Sequence, residues 1–344
     1  IYVQNADLTF KNSKINYSGT YGIRGSMNNR TVLIEDSEIN GVQSNAIDFW
    51  DGYQNSRFTM KRTKITNSKG GGVSVRDSGT VLFEDNDISG NESGQASFES
   101  VYGDVSIKSN TFSNNKWGQL SVNYNYAENS NILVEGNSII EGSGNSHSGI
   151  SVQRMNSAAE ILIQNNTIET KNNAISTDDY NNHTYKILGN TIKGSTQNGT
   201  GISVSQKAKA TIENNTIENK QNGILVNYSD ANGDGSSTIT GNVIKGNSGY
   251  GIRVESYAKP VISLNDIEGN SGYFVDNQTT FTVDARNNWW GDTLKAVIES
   301  GDNPRALDKF YDQYDDSTKG LINYAGWLEF SPNSVKHEIT NIFK

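Results

Sequence analysis

A short phrase that recurs along most of the chain constrains its fold more than any other feature. The phrase alternates apolar and polar residues, ends in Asn-x-Ile, and is accompanied by a Gly-Ile-x-Val segment. Successive apolar anchors of the phrase lie between 23 and 29 residues apart. A period of this size is typical of solenoids. The anchors are Ile15, Ile39, Ile65, Ile88, Phe112, Ile139, Ile168, Ile192, Ile217, Ile244, Ile267 and Trp290.

Each repeat predicts two or three short strands. In the alternation that contains Ile161, Ile163 and Ile168, the apolar residues share one face, which we expect to point inward. The Gly201-Ile202-Ser203-Val204 type of segment predicts a second strand, because it is too short for a helix with an apolar stripe. We therefore predict an all-β fold, a parallel β-helix of about twelve coils over residues 1–291.

Beyond Gly291 the period ends, and residues 292–344 are predicted to form a small mixed cap over the last coil. The stretch from Thr293 to Ser300 has helix-like content. A second helix is predicted from Asn303 to Tyr314, with Asn303 as the N-cap and Pro304 at the first helical position. Residues 320–330 return to strand-like composition.

Composition excludes several classes of partner. The 344-residue chain has a formal net charge of −9 and a pI near 5.0, and it has no basic patch, so nucleic acid is not expected as a partner. No apolar run approaches the roughly 20 residues that span a bilayer, so membrane insertion is not expected. The chain opens in the middle of its pattern, which we interpret as a piece of a longer secreted protein.

The position two residues before the anchor is Asn in nine consecutive repeats. Stacked side-chain amides can bond to one another along a solenoid, and the same residue is rarely needed for function in every coil. We therefore predict an inward, structural ladder. Its members are Asn86, Asn110, Asn137, Asn166, Asn190, Asn215, Asn242, Asn265 and Asn288.

Outward charged positions alternate in sign between repeats, which predicts attraction between neighbouring coils rather than catalysis. One row is Glu35, Lys61, Glu84, Lys108 and Glu135. A second row is Lys14, Glu38, Lys64 and Asp87. A third row is Glu169, Lys193, Glu218, Lys245 and Glu268.

The repeat, together with the ending Arg286-Asn287-Asn288-Trp289-Trp290-Gly291, resembles the right-handed parallel β-helix repeat proteins of bacteria and archaea, which share the pectate-lyase-like superfold. The tail from Ala296 to Asp316 and the segment from Ile322 to Leu328 match that group, although Gly326 stands where the group usually has Pro. The resemblance implies a right-handed single-stranded β-helix, carbohydrate as the partner, and a secreted or cell-surface location. Its members include lyases, hydrolases, epimerases, tailspikes and adhesins, so it does not choose the activity.

A row of irregular positions follows the second strand of successive repeats. It mixes aromatic rings with carboxylates and arginines, and sugar rings stack on aromatic faces while their hydroxyls bond to polar groups. We interpret it as a polysaccharide-binding strip, and polysaccharide binding at the cell surface is the leading function. The alternative is that surface loops collect such residues without function. The predicted binding residues are Asp48, Trp50, Tyr102, Tyr124, Tyr126, Arg154, Asp178 and Asp179.

The same strip offers a catalytic alternative. Asp51 and Asp77 hold equivalent positions in adjacent repeats, and Asp51 and Glu99 lie two repeats apart, so the carboxyl separations bracket those of retaining and inverting glycosidases. Arg76, flanked by these carboxylates, could serve as the base of a polysaccharide lyase beside a cation. A structural spacer in a larger surface protein is a further alternative. His147, His183 and His337 are dispersed and are predicted to be surface residues.

The segment from Asp230 to Ser236 matches the beginning of a calcium-binding loop, with alternate oxygen ligands before a Gly turn. Asp230, Asn232 and Asp234 are the predicted ligands, and calcium is the predicted cofactor. The closing Glu is missing, because Gly241 holds the twelfth position. A metal-free loop rich in Asp, Asn and Gly therefore remains the alternative.

Overall fold

A computed structural model of the chain describes residues 1–93, 95–116, 120–126, 129–141, 148–156 and 160–334. The chain divides into two compact units, an N-terminal unit from Ile1 to His183 and a C-terminal unit from Thr184 to Lys344. Both are built from short parallel strands that recur in the order A, B, C, one strand to each of three sheets. His147 and His337 and the last ten residues of the predicted cap lie outside the described residues.

The N-terminal unit contains the following strands, given in the order in which they pair. Sheet A consists of β1 (Tyr2–Gln4), β4 (Ile23–Ser26), β7 (Ile47–Trp50), β10 (Val73–Arg76), β13 (Ala96–Val101), β16 (Leu120–Asn125), β19 (Ile150–Met155) and β22 (Ile175–Asp179). Sheet B consists of β2 (Leu8–Lys11), β5 (Thr31–Glu35), β8 (Tyr53–Lys61), β11 (Ser78–Glu84), β14 (Val105–Lys108), β17 (Asn131–Glu135) and β20 (Glu160–Gln164). Sheet C consists of β3 (Lys14–Asn16), β6 (Glu38–Asn40), β9 (Lys64–Thr66), β12 (Asp87–Ser89), β15 (Thr111–Asn115), β18 (Ser138–Glu141) and β21 (Thr167–Thr170).

The C-terminal unit repeats the arrangement and adds the helix α1 (Gly291–Glu299). Its sheet A consists of β25 (Thr200–Gln206), β28 (Asn222–Tyr228), β31 (Ile252–Ser256), β34 (Val275–Asn277) and β36 (Phe310–Tyr311). Its sheet B consists of β23 (Thr184–Leu188), β26 (Lys209–Glu213), β29 (Thr238–Thr240), β32 (Val261–Ser263), β35 (Val283–Asp284) and β37 (Ile322–Asn323). Its sheet C consists of β24 (Thr191–Gly194), β27 (Thr216–Glu218), β30 (Val243–Lys245) and β33 (Asp266–Glu268).

The prediction of an all-β parallel solenoid is confirmed. Sheet C contributes one strand to each turn, seven in the N-terminal unit and four in the C-terminal unit, which is close to the predicted coil number. Apolar residues of equivalent repeats lie in register, as Ile39 does with Ile65 and Ile88 with Phe112. All four side chains are buried. The alternation therefore places one continuous apolar core inside each unit.

The predicted Asn ladder also lies inside. Asn110 accepts bonds from the backbone N–H and side-chain amide of Asn86 at 3.0 and 2.9 Å, and donates to the carbonyl of Phe83 and to Asn137 at 2.9 Å each. In the C-terminal unit, Asn190, Asn215, Asn242, Asn265 and Asn288 repeat this pattern. The side-chain amide of Asn110 thus makes four hydrogen bonds to protein partners.

A second inward ladder was not predicted. It follows the sheet C strands, where Asn91 donates to Asn115 at 3.0 Å and Asn247 donates to Asn270 at 2.9 Å. Its sequence signal is an Asn five residues after a member of the first ladder, as Asn91 follows Asn86. The signal is interrupted in some repeats, because Lys220 stands at the equivalent position and is fully buried.

Alternating charges on the outer faces of sheets B and C form ion pairs between neighbouring strands, as predicted. The Lys-to-Glu pairs have N–O distances of 2.6 Å for Lys11 with Glu35, 2.7 Å for Lys14 with Glu38, 3.0 Å for Lys61 with Glu84, and 3.2 Å for Lys245 with Glu218. These short distances indicate that the charged side chains hold neighbouring strands in register.

The prediction of a helix from Asn303 to Tyr314 is wrong. The Asn303 side chain donates to the carbonyl of Ile298 at 3.0 Å, so it closes the end of α1 instead of capping a new helix. The following segment forms turns and then β36, which pairs with β34. Phe310 of this strand is buried, with its ring 4.9 Å from the ring of Trp290 and 5.2 Å from that of Tyr324. The extended strand thus places Phe310 between these two rings.

Candidate functional site

The outer face of sheet A in the N-terminal unit carries most of the residues of the predicted binding strip. Arg76, Glu99, Asn123, Gln153 and Asp178 lie in register on the five successive strands from β10 to β22. Adjacent strands are about 4.8 Å apart, so side chains of neighbouring members can contact each other. We call these residues the outer row.

A row of serines lies beside the outer row. The sequence interpretation missed it, although the signal is the Ser between two inward residues of each second strand. Their short side chains leave a shallow floor of hydroxyl groups along the sheet. The members are Ser74, Ser97, Ser121, Ser151 and Ser176, which are in register.

At the β4 and β7 end of this face, Asp48 is buried and holds two arginines. Its carboxylate lies 3.3 Å from Nε of Arg24 and 3.6 Å from a terminal nitrogen of Arg76. The Arg24 guanidinium also covers two rings, at 4.1 Å from the centroid of Tyr21 and 4.9 Å from that of Trp50. The Asp48 carboxylate is therefore already paired and holds this cluster together. One face of the Trp50 ring is covered by the Arg24 guanidinium. Tyr21 and Arg24 were not among the predicted residues.

The C-terminal unit contains the same combination. The tetrapeptide Tyr-Gly-Ile-Arg occurs at residues 21–24 and again at residues 250–253. Arg253 lies 5.6 Å from the Tyr250 ring centroid and 3.3 Å from the carboxylate of Asp276, its register partner on the next strand. Because the arrangement recurs, we interpret the Arg-to-Asp pair as a structural contact between strands.

Asp51 and Asp77 lie at equivalent corners after β7 and β10. Both have left-handed backbone conformations, with φ of 51° and 59°. Burial and the nearby Asp51 carboxylate raise the pKa of Asp77, whereas Arg76 and a backbone bond from Asp51 oppose the rise. The two predicted catalytic carboxyls therefore interact. Arg76 forms its ion pair with Asp48, while Glu99 is its register partner.

Three tyrosines form the aromatic centre of the face. The Tyr126 ring stacks on that of Tyr102 with centroids 5.6 Å apart, and on that of Tyr124 at 6.5 Å with an interplanar angle of 12°. Tyr126 is 43% exposed. Burial and the charge of Asp77 raise the pKa of Tyr102, so this tyrosine adjoins the acidic pair.

Next to the tyrosines, three polar atoms lack hydrogen-bond partners although neighbouring atoms shield them from solvent. They are Oδ1 of Asn123, Nε of Arg154 and Oδ1 of Asp178. The Arg154 guanidinium covers the Tyr124 ring at 5.0 Å, and one of its terminal nitrogens donates to the hydroxyl of Tyr124. Burial and Asp179 raise the pKa of Asp178, and Arg154 opposes this. We call Asn123, Arg154 and Asp178 the polar triad.

Asp179, which the sequence placed on the binding strip, is fully buried. Its carboxylate lies 2.9 Å from Nδ1 of His183 and accepts the Asn181 N–H at 2.8 Å. Asp179 lies two and four residues after the inward Thr177 and Ile175, so the alternation of the strand directs its side chain to the interior. His183, which was predicted to be a surface residue, has 17% of its side chain exposed.

The predicted calcium loop lies between β28 and β29. Asp230 pairs with Lys207 at 3.0 Å and Asp234 with Lys209 at 3.5 Å, and bonds to Lys207 and Ser236 are the main causes that lower the pKa values of the two carboxyls. Asn232 is exposed, and its N–H donates to Asp230. A cation would therefore compete with two lysines for the same oxygens.

Within the described residues, no group of three or more His, Asp and Glu side chains is arranged to hold a metal ion. In the same part of the chain, no helix has both the length and the apolar character needed to cross a membrane.

Comparison with known proteins agrees with the fold. A search of curated proteins and a search of solved structures each gave no significant match. The family described as "Right handed beta helix region" matches residues 1–168, 53–199 and 173–327. These matches cover almost the whole chain, and the parallel three-sheet coils are the architecture that this description names. The chain therefore belongs to the right-handed β-helix family.

Proposed function

We propose that the N-terminal unit binds an extended polysaccharide along the outer face of sheet A. The observation that carries the proposal is the stack of Tyr102, Tyr126 and Tyr124 beside the polar triad. Sugar rings pack on exposed aromatic faces, and their hydroxyls supply the missing partners of shielded polar atoms. The serine row gives a long ligand a floor without protruding side chains. A polymer of this class is met outside the cell, where we propose that the protein acts.

The test is retention of the protein by a panel of immobilised plant and bacterial polysaccharides. A variant with Ala at Tyr102, Tyr124 and Tyr126 should lose retention by the polymer that holds the wild type. Tyr17→Ala is the matched control, because that ring is 81% exposed and follows a sheet C strand. Equal retention of both variants would contradict the assignment of this face.

We propose hydrolysis of the bound polymer as the second candidate, favoured by the Asp51 and Asp77 pair. A carboxyl with a raised pKa is suited to protonate a leaving group, and a neighbouring carboxylate can act as nucleophile or base. Reducing ends should then appear with the wild type, and Asp77→Asn and Asp51→Asn should remove turnover while retaining binding. Unsaturated products that depend on Arg76 would instead support the lyase alternative. Binding without any product leaves the first candidate.

A further inference from the structure

We infer that the sugars contacted by the polar triad are uncharged and bind through their hydroxyl groups. This inference rests on the polysaccharide-binding function proposed above and names the class of sugar. It concerns the end of the N-terminal sheet A where Asn123, Gln153 and Asp178 lie in register on β16, β19 and β22. Arg154 follows Gln153 at the corner, with φ of 58°.

The unpartnered atoms of the triad require a group that both donates and accepts hydrogen bonds. Oδ1 of Asn123 and Oδ1 of Asp178 are acceptors, whereas Nε of Arg154 is a donor. A hydroxyl group donates one bond and accepts others, so neighbouring hydroxyls of one sugar ring can serve all three atoms. Modest side-chain rotation on binding would expose these atoms, as is common at binding surfaces.

A uronate carboxylate fits the triad poorly. Where it takes the place of a hydroxyl it accepts hydrogen bonds but donates none, so it cannot serve Oδ1 of Asn123 or Oδ1 of Asp178. Its charge would also approach Asp178, whose pKa is already raised by burial and by Asp179. Along the rest of the face, Arg24 and Arg76 share the carboxylate of Asp48. The charges of these two arginines are therefore already balanced by Asp48 and are less available to a polyuronate.

An amino sugar fits poorly for the opposite reason. Where its ammonium group takes the place of a hydroxyl it donates hydrogen bonds and accepts none, so it cannot serve Nε of Arg154. The ammonium would also lie beside the guanidinium, which is held in place over the Tyr124 ring at 5.0 Å. Two positive charges in contact repel each other, and the repulsion is strongest where water is excluded.

The experiment compares soluble polymers that share a backbone and differ in charge. The pairs are hydroxyethyl cellulose with carboxymethyl cellulose, fully methyl-esterified polygalacturonate with polygalacturonate, and glycol chitin with glycol chitosan. Affinity electrophoresis of the full chain should show retention by the uncharged member of at least one pair and about tenfold weaker retention by its charged counterpart. Retention by the uncharged polymer should be unchanged between low and high salt, because screening acts on charge pairs.

Two variants assign the preference to the triad. In Asp178→Asn the acceptor oxygen remains and the charge is removed, so the difference between the uncharged and carboxylated polymers should shrink severalfold. Glu84→Gln is the matched control, because it removes one charge from sheet B, where Glu84 pairs with Lys61 at 3.0 Å. The control should keep the full difference. A difference that shrinks equally in both variants would overturn the role of Asp178.

The outcomes separate this inference from the function on which it rests. Preferential retention by a carboxylated or amino polymer, weakened by salt and by loss of the tyrosines, would overturn the uncharged-sugar inference and keep the polysaccharide-binding function. Retention by none of these polymers, nor by the wider immobilised panel, would overturn both.

Discussion

The guanidinium of Arg154 lies over the ring of Tyr124, 5.0 Å from its centroid, and donates to the hydroxyl of the same tyrosine. Tyr124 in β16 and Arg154 in β19 both have left-handed backbone conformations, with φ of 55° and 58° respectively. Cation–π and hydrogen-bond contacts therefore hold both side chains in place, near the C-terminal ends of these strands, before any ligand binds. Such preorganisation reduces the entropy cost of binding.

Replacing Arg154 by Lys should weaken polysaccharide binding by about 1 to 2 kcal/mol, because Lys keeps the charge but lacks the planar Nε donor. Isothermal titration with the retained polymer measures the change. Lys108→Arg on sheet B is the control for a basic exchange outside the face, and it should leave binding unchanged. Full affinity in Arg154→Lys would show that Nε of Arg154 does not contact the ligand.

Tyr126→Ala should weaken binding by about 1 to 3 kcal/mol, because its ring is the exposed member of the tyrosine stack. The melting temperature should change little, since the removed ring faces solvent. Titration and thermal unfolding of the same preparation check the two expectations. A large loss of stability with unaltered affinity would assign Tyr126 to folding.

Asn110→Ala should destabilise the N-terminal unit by about 3 to 5 kcal/mol, because it removes the partners of several buried polar groups at once. Chemical denaturation provides the measurement. Asn131→Ala is the control, because that side chain is exposed at the start of β17, and its cost should stay within about 0.5 kcal/mol. Similar costs for both would refute the ladder as a source of stability.

Calcium binding at Asp230, Asn232 and Asp234 stays a prediction, and the lysine pairs indicate how to test it. Calcium should raise the melting temperature of the wild type, and Lys207→Ala should increase the rise, because it frees the Asp230 oxygens. Asp230→Asn should remove the effect. If calcium changes the melting temperature of none of the three proteins, the loop is a metal-free turn.

Asp276 gives a pH dependence of stability with a defined sign. Burial is the main cause that raises its pKa above the ordinary value of 3.8, so the folded protein retains this proton to a higher pH than the unfolded chain. Between the two pKa values, stability should fall as pH rises, relative to Asp276→Asn.

Melting temperatures of the wild type and this variant, from acid to neutral pH, check the sign. Asp284→Asn supplies the opposite case, because bonding from Arg286 is the main cause that lowers the pKa of Asp284. There the wild type should gain stability over its variant as pH rises through the lowered pKa and up to the ordinary value. Parallel curves for either pair would contradict the expectation.

The sequence predicted those parts of the molecule that repeat in every coil. The anchors, the first Asn ladder and the alternating charges each recur at a fixed position, so one repeat explains the others. The site is different, because contacts such as Arg24 on Trp50 depend on side-chain directions that spacing does not define. Buried Asp179 was in phase with inward residues, and its carboxylate is stabilised inside by bonds that include those from His183 and a turn amide.

The helix error in the tail has the same origin. Asn303 and Pro304 are good local signals for a helix start, yet the segment contains Phe310, which packs on Trp290 and Tyr324. Tertiary packing of aromatic rings outweighs a propensity of a few tenths of a kcal/mol per residue. Local reasoning cannot find such a competition when the partners lie far apart in sequence.

The Asn ladder also has a direction. Within each unit, every rung passes its hydrogen bonds toward the next coil, as Asn86 does to Asn110 and Asn110 to Asn137. An insertion between two ladder residues lengthens a loop and leaves the hydrogen bonds intact. A deletion that removes one ladder Asn without the rest of its coil breaks the hydrogen bonds to both neighbouring coils. The addition of one whole coil would therefore keep hydrogen-bond donors and acceptors aligned with those of its neighbours.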